Sequence, residues 1–253
     1  MKILCLSDLH RTSNFDIQQN NWIKDLIKEH IPDVVVITGD IFEASYQGNP
    51  YKGLSKLIGD IPVICTLGNH EFVDTTVEAV LKQYKGKYRP EKYDVHYLDI
   101  IGHYDISNVR FVGNVLWYDG SMSTVKDQRI ETFADGRWLD RRIINFDFVS
   151  ECNKNIQQIK DNLSDDENMM NVLCTHCVSH HKLNGHMHDF SSEFNAYSGV
   201  YDLLGMDGVK GKINYSICGH THWRVVGIYI DDCCGVNCGN DYYPPFQYCI
   251  IDL

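Results

Sequence analysis

Residues 33–40 read Asp-Val-Val-Val-Ile-Thr-Gly-Asp, and this stretch decides the fold class. Val34, Val35, Val36 and Ile37 are β-branched and no polar residue alternates with them, as in a strand buried on both faces. The run then meets Gly39 and stops on a carboxylate, Asp40. Residues 2–8, Lys-Ile-Leu-Cys-Leu-Ser-Asp, follow the same grammar upstream, and residues 62–69, Pro-Val-Ile-Cys-Thr-Leu-Gly-Asn, repeat it downstream. Between the first two runs, Ile23, Leu26, Ile27 and His30 recur at helical spacing, and Pro32 stops that helix. A shorter helical stretch at 54–58 separates the second run from the third. Strand, helix and strand in units of roughly 30 residues describe a parallel sheet.

The later chain changes character. A helix is expected after Gly68, carrying Val73, Val77, Val80, Leu81 and Tyr84. From 94 to 113 short strands are broken by Gly102 and by Ser107-Asn108. Residues 117–145 have weak periodicity and hold Trp117, Tyr118, Phe133 and Trp138 among many charges, so they read as an irregular insertion or flap. Val149, Cys152, Ile156, Ile159 and Leu163 mark an amphipathic helix. Strands are expected near 171–175, 213–218, 223–230, 233–238 and 246–252, with a polar, His-rich loop at 177–199. The whole is expected to be one α/β layered domain spanning residues 1–253.

Charge and composition exclude several functions. The 253 residues carry 23 Lys and Arg against 34 Asp and Glu, a net charge of −11. That is not the electrostatic footprint of a long nucleic-acid binder. A phosphate ester remains a compatible substrate where a local cation overrides the global field. No apolar run approaches the ~18 residues of a membrane span. The N-terminal run is broken within a few residues by Asp8 and His10, too early for a secretory signal, so a cytoplasmic protein is expected. The ten cysteines sit mostly in apolar runs, as Cys5 and Cys65 do, and read as buried reduced thiols.

The chemistry gathers just after the apolar runs: Asp8 and His10, then Asp40, then Asn69, His70 and Glu71, then His176, then His220 and His222. In a parallel α/β sheet the carboxyl ends of the strands share one edge, where ligands bind. Asp8 and His10 are two apart, as are His220 and His222, and in extended backbone that spacing puts both side chains of a pair on one face. Asp40 has two oxygens to bridge two cations, and Asn69 offers a neutral carbonyl oxygen. Carboxylate, imidazole and amide oxygen with no thiolate suit Mn²⁺, iron, Zn²⁺ or Co²⁺ rather than a cysteine-held structural zinc. Capping by Asp and Asn at strand ends explains single positions, but not the histidines gathered with them.

The ordered series Asp8-Leu9-His10, Gly39-Asp40, Gly68-Asn69-His70-Glu71, His176 and Gly219-His220-Thr221-His222 resembles the calcineurin-like metallophosphoesterase superfamily. The resemblance implies a four-layer αββα sandwich of two mixed sheets flanked by helices, holding two divalent metal ions, with manganese favoured. By position, Asp8, His10, Asp40 and His222 would hold the first ion, and Asp40, Asn69, His176 and His220 the second. A hydroxide between the ions would attack phosphorus, and His70 would protonate the leaving oxygen. Glu71 or Asp74 would support His70. The phosphoprotein phosphatase branch reads Gly-Asp-x-Val-Asp-Arg-Gly, whereas this chain has Gly39-Asp-Ile-Phe-Glu-Ala-Ser and lacks that arginine. The expected activity is therefore a phosphodiesterase on a small or nucleotide-like substrate. A phosphomonoesterase and a catalytically inactive scaffold of the same fold are the alternatives. Arg137 in the flap and His181 in the His-rich loop are the substrate-contact candidates, while Trp117 and Trp138 are expected to pack in the core. The expected partner is a small phosphate ester, with no membrane and no long nucleic acid.

Overall fold

The computed structural model describes residues 1–13, 16–88, 90–123, 138–185, 193–242 and 244–253. The first apolar runs form β1 (Lys2–Leu6), β2 (Val34–Thr38) and β3 (Val63–Thr66), paired in parallel. To these are added β4 (Val95–Tyr97) at one edge and, at the other, the C-terminal β11 (Cys249–Asp252), antiparallel to β1, giving the order β11-β1-β2-β3-β4. A second sheet comprises β5 (His103–Ile106), β6 (Val109–Asn114), β7 (Met170–Thr175), β8 (Tyr215–Cys218), β9 (Arg224–Ile230) and β10 (Cys233–Cys238). Its order is β5-β6-β7-β8-β10-β9. β6, β7, β8 and β10 run parallel, and β5 and β9 flank them antiparallel.

Alternation along β1 explains the layering. Ile3 and Cys5 join Val34, Val36, Ile64, Phe111, Val172, Cys174, Ile217 and Val236 in a core between the sheets. Leu4 and Leu6 point the other way, into a core shared with the helices. On that side lie α1 (Ile17–His30), through Ile23 and Leu26, and α2 (Pro50–Ile58), through Leu54 and Leu57. α5 (Phe148–Asn162) covers the second sheet with Cys152, Ile156 and Ile159. Helix, sheet, sheet, helix is the order expected from the sequence.

Three local expectations are corrected. α2 begins at Pro50, capped by the Asn49 side chain on the Lys52 N–H at 3.1 Å, so the segment is longer than its apolar part. The helix expected after Gly68 splits into a 3₁₀ turn (Asn69–Phe72), α3 (Val77–Lys82) and a π turn (Gln83–Lys87). One helical turn, α4 (Leu98–Ile101), interrupts the strands expected between 94 and 113. Its Asp99 accepts the Leu67 and Val115 N–H groups at 2.8 Å each, tying the end of β3 to the end of β6. Much of the flap, including Arg129, Phe133 and Arg137, lies outside the described residues, and Trp117 and Tyr118 on its near side are buried core residues. No helix among the described residues is long and apolar enough to cross a membrane. The ten cysteines are free thiols, all buried except the half-buried Cys234.

Candidate metal centre

The carboxyl ends of β1, β2 and β3 meet those of β7 and β8 at one edge, and the candidate residues sit in the loops that leave them. Asp8, His10, Asp40, His220 and His222 adopt φ of 53°, 46°, 47°, 69° and 54°. These are left-handed conformations, not the extended backbone expected for the two-residue pairs. Such backbone costs of order 1–3 kcal/mol per non-glycine residue, and it clusters at functional sites. Gly68 is needed for close approach: a Cβ there would fall on the side chain and backbone nitrogen of Asp40.

Hydrogen bonds fix how each side chain faces the site. The Nδ1 of His176 lies 2.9 Å from the Thr38 carbonyl oxygen and donates to it, which turns Nε2 toward Asn69 Oδ1 at 2.9 Å and Asp40 Oδ1 at 3.4 Å. The Nε2 of His220 donates to the Tyr197 carbonyl oxygen at 2.8 Å, so its Nδ1 faces Asn69 Oδ1 at 3.1 Å and His176 Nε2 at 3.2 Å. Burial lowers the His220 pKa to about 4, which keeps that imidazole neutral and its Nδ1 lone pair free. Burial also lowers the His176 pKa, but Asp40 more than reverses this and lifts it to about 10. Once His176 Nε2 gives up its proton, Asp40, Asn69, His176 and His220 turn four electron-pair donors to one point, which demands a cation in the proton's place. Donors at right angles around an ion about 2.1 Å away stand about 3.0 Å apart, the spacing found here. The residues therefore fit a metal ion.

A second set lies beside the first. Asp8, His10 and His222 bring one donor atom each within 4.8 Å of one another, as Asp40, His176 and His220 do. His10 Nε2 is 3.2 Å from His222 Nε2 and 3.8 Å from Asp40 Oδ2, while Asp8 Oδ1 is 3.8 Å from His222 Nε2. Asp40 stands between the sets and directs one oxygen to each.

His70 also reaches this place, held by a carboxylate that is not among the expected site residues, Glu43. Glu43 accepts from His70 Nδ1 at 2.9–3.0 Å and from His10 Nδ1 at 2.9 Å. Glu71 and Asp74, the supports expected for His70, are engaged elsewhere. Glu71 accepts the backbone N–H groups of Ile41, Phe42 and Gly68, and Asp74 is bound by Arg142. Burial raises the Glu43 pKa, but its bonds from His10 and His70 pull it down to about 2. Burial lowers the His70 pKa, and Asp40 and then Glu43 reverse that and set it at about 9. The signal was present in the sequence as a carboxylate three residues after Asp40.

A cavity of about 260 Å³ opens onto the cluster, lined by Asp40, Asn69, His70, Trp138, Leu139, Asp140, His220, His222 and Tyr242. Trp138 packs against the core, as expected, and its half-buried ring also lines the site, while Tyr242, 52% exposed, lies 4.4 Å from the His10 ring. His181 stands apart: it stacks on Tyr201 at 4.3 Å and lines a different cavity with Asp202 and Lys210. Arg137, the other candidate for substrate contact, lies outside the described residues.

The chain matches one protein family and shares its fold with solved structures. The family model for calcineurin-like phosphoesterase matches residues 1–224. No curated protein sequence matches the chain. The fold is similar to that of phosphopantetheinyl hydrolase (PptH) from Mycobacterium tuberculosis, with a TM-score of 0.72 and 16% identity over 95% of this chain and 89% of that one. It is similar to a dimetal phosphatase from Danio rerio, with a TM-score of 0.56 and 15% identity over 99% and 91% of the two chains. It is also similar to GAP50, the anchor in the inner membrane complex of Plasmodium, with a TM-score of 0.53 and 15% identity over 99% and 80%. With the family matched across nearly all the strands that carry the cluster, the chain belongs to the calcineurin-like phosphoesterases and is a metal-dependent phosphoester hydrolase.

Proposed function

We propose that this hydrolase is a cytoplasmic two-metal phosphodiesterase acting on a small, nucleotide-like ester, with manganese as its ion. Asp8, His10, Asp40 and His222 would hold one ion, and Asp40, Asn69, His176 and His220 the other. Two such ions supply the charge that acidifies water into a nucleophile and neutralises phosphoryl oxygens. His70 then has a defined part. Its Nδ1–H is held by Glu43, and its Nε2, 3.8 Å from Asp40 Oδ2, turns toward the cluster to give a proton to the leaving oxygen. General acid help of this kind contributes roughly 10²–10⁴-fold.

One observation carries the preference for a diester. No lysine or arginine is among the described residues lining the 260 Å³ cavity. A monoester dianion is usually gripped by a bidentate arginine, whereas a diester carries one charge fewer. Trp138 and Tyr242 on the walls suit a leaving group with a planar ring. The proteins of similar fold are described as a hydrolase, a phosphatase and an anchor, so the fold by itself passes on no substrate.

The test is the ratio of kcat/KM for bis(p-nitrophenyl) phosphate to that for p-nitrophenyl phosphate in Mn²⁺, with Asp40→Asn as control. A higher value for the diester, lost in the variant, supports the proposal. Preference for the monoester replaces it with a phosphomonoesterase. No turnover and no bound metal would leave a scaffold.

A further inference from the structure

Asn69 is a ligand only if its carbonyl oxygen, not its NH₂, faces the histidines. Nothing in the loop that carries it dictates this choice, because an asparagine amide presents similar shapes either way. The answer lies 71 residues away, in the far end of the flap. Asp140 is fully buried, and its Oδ1 accepts from Asn69 Nδ2 at 2.7 Å. Its Oδ2 accepts from the Tyr118 hydroxyl at 2.9 Å and from Trp138 Nε1 at 3.0 Å. The indole N–H can only donate. The indole and the hydroxyl fix Oδ2 as an acceptor, and in the ionised carboxylate Oδ1 accepts as well, so Asn69 turns its NH₂ to it. The Asn69 oxygen is left pointing at His176 and His220.

The segment bearing Asp140 is fastened to the segment bearing Asn69. A 3₁₀ turn, Leu139–Arg142, packs on the turn Asn69–Phe72. The Asp74 N–H donates to the Arg142 carbonyl at 3.2 Å, the Ile144 N–H donates to the Thr75 carbonyl at 2.8 Å, and Arg142 pairs with Asp74. The geometry points to Asp140 as a positioning residue: by fixing the Asn69 amide it makes that residue a ligand of the second ion, so that the end of the flap belongs to the metal centre. This rests on the two-metal reading above.

Asp140→Asn tests the idea with one atom changed. If the new amide at position 140 keeps its oxygen on Tyr118 and Trp138, its NH₂ faces Asn69 and turns the Asn69 NH₂ toward the site. If it flips, its NH₂ opposes the Trp138 N–H. Mn²⁺ uptake by stripped protein is measured by equilibrium dialysis, with thermal melting alongside. Wild type should bind two ions per chain. In Asp140→Asn one site should weaken by roughly 10–100-fold, the usual effect of losing an outer-shell partner, while the other holds. The paired variant Asn69→Asp with Asp140→Asn exchanges donor and acceptor across the contact and should recover the second ion. Two ions bound at wild-type affinity by Asp140→Asn, with only the melting temperature lowered, would show a structural role and overturn the inference. So would a folded paired variant that binds one ion. Fewer than two ions on wild type would instead overturn the two-metal reading, and this inference with it.

Discussion

Replacing Glu43 with glutamine removes one charge and turns one of its two acceptor oxygens into an NH₂ donor without changing the shape of the side chain. Glu43 receives His10 Nδ1 at 2.9 Å and His70 Nδ1 at 2.9–3.0 Å. A His70 pKa of about 9, against an ordinary 6.5, corresponds to roughly 3 kcal/mol in favour of the imidazolium. Burial opposes that preference, the charge of Asp40 is the largest single cause of it, and the hydrogen bond and charge of Glu43 follow. When Asp40 is engaged by cations, Glu43 is the carboxylate left to hold the proton. A charge-assisted hydrogen bond contributes about 1.5–3 kcal/mol, and a neutral glutamine oxygen keeps about half of that. The expected loss of about 1–2 kcal/mol is roughly 10-fold in kcat, approaching 100-fold if His10 also loosens. The assay compares two diesters under Mn²⁺ saturation, one leaving as p-nitrophenolate and one as an alkoxide. Nitrophenolate departs with little acid help, so Glu43→Gln should spare it and slow the alkyl ester. The sign of the pH effect follows. An acid must be protonated to act, so the alkyl rate falls as pH rises past the His70 pKa, and the variant should move this limb toward lower pH. Equal losses on both esters, or an unmoved alkaline limb, would refute the role given to the Glu43–His70 pair.

Three further outcomes are expected. Gly68→Ala places a methyl on Asp40, so it should lower stability by roughly 1–3 kcal/mol and weaken Mn²⁺ uptake, and wild-type melting with wild-type uptake would contradict this. Asp99→Ala orphans the Leu67 and Val115 N–H groups and should cost roughly 2–5 kcal/mol, seen in urea unfolding as a lower midpoint with an unchanged slope. Chelated protein should melt below the Mn²⁺-saturated form, since each ion at about 100-fold its Kd contributes about 2.7 kcal/mol, and Asp40→Asn should lose most of the difference.

The parts legible in the sequence are those that follow from local pattern. Unbroken runs such as 34–37 identify doubly buried strands, and a parallel sheet then carries Asp8, Asp40 and Asn69 to one edge, so their meeting could be read without coordinates. The backbone of the Asp8–His10 and His220–His222 pairs could not, because left-handed conformations are imposed by the loop and not by residue type. Glu43 is not legible as the partner of His70, because adjacency in the chain favours Glu71. Glu71 instead turns inward to three backbone N–H groups. Asp140 and Trp138 were hidden for another reason. They come from an insertion without periodicity, and their use depends on a tertiary contact across 71 residues with Asn69. Side chains that hold the ligands in place leave little trace in spacing, since many chain positions can reach the same point.

The proposed two-metal centre puts one ion on either side of Asp40. Anomalous diffraction from crystals grown with Mn²⁺ tests it directly. Two peaks about 3.5–4 Å apart are expected, one among Asp8, His10 and His222, the other among Asn69, His176 and His220. A single peak, or manganese bound away from Asp40, would contradict it.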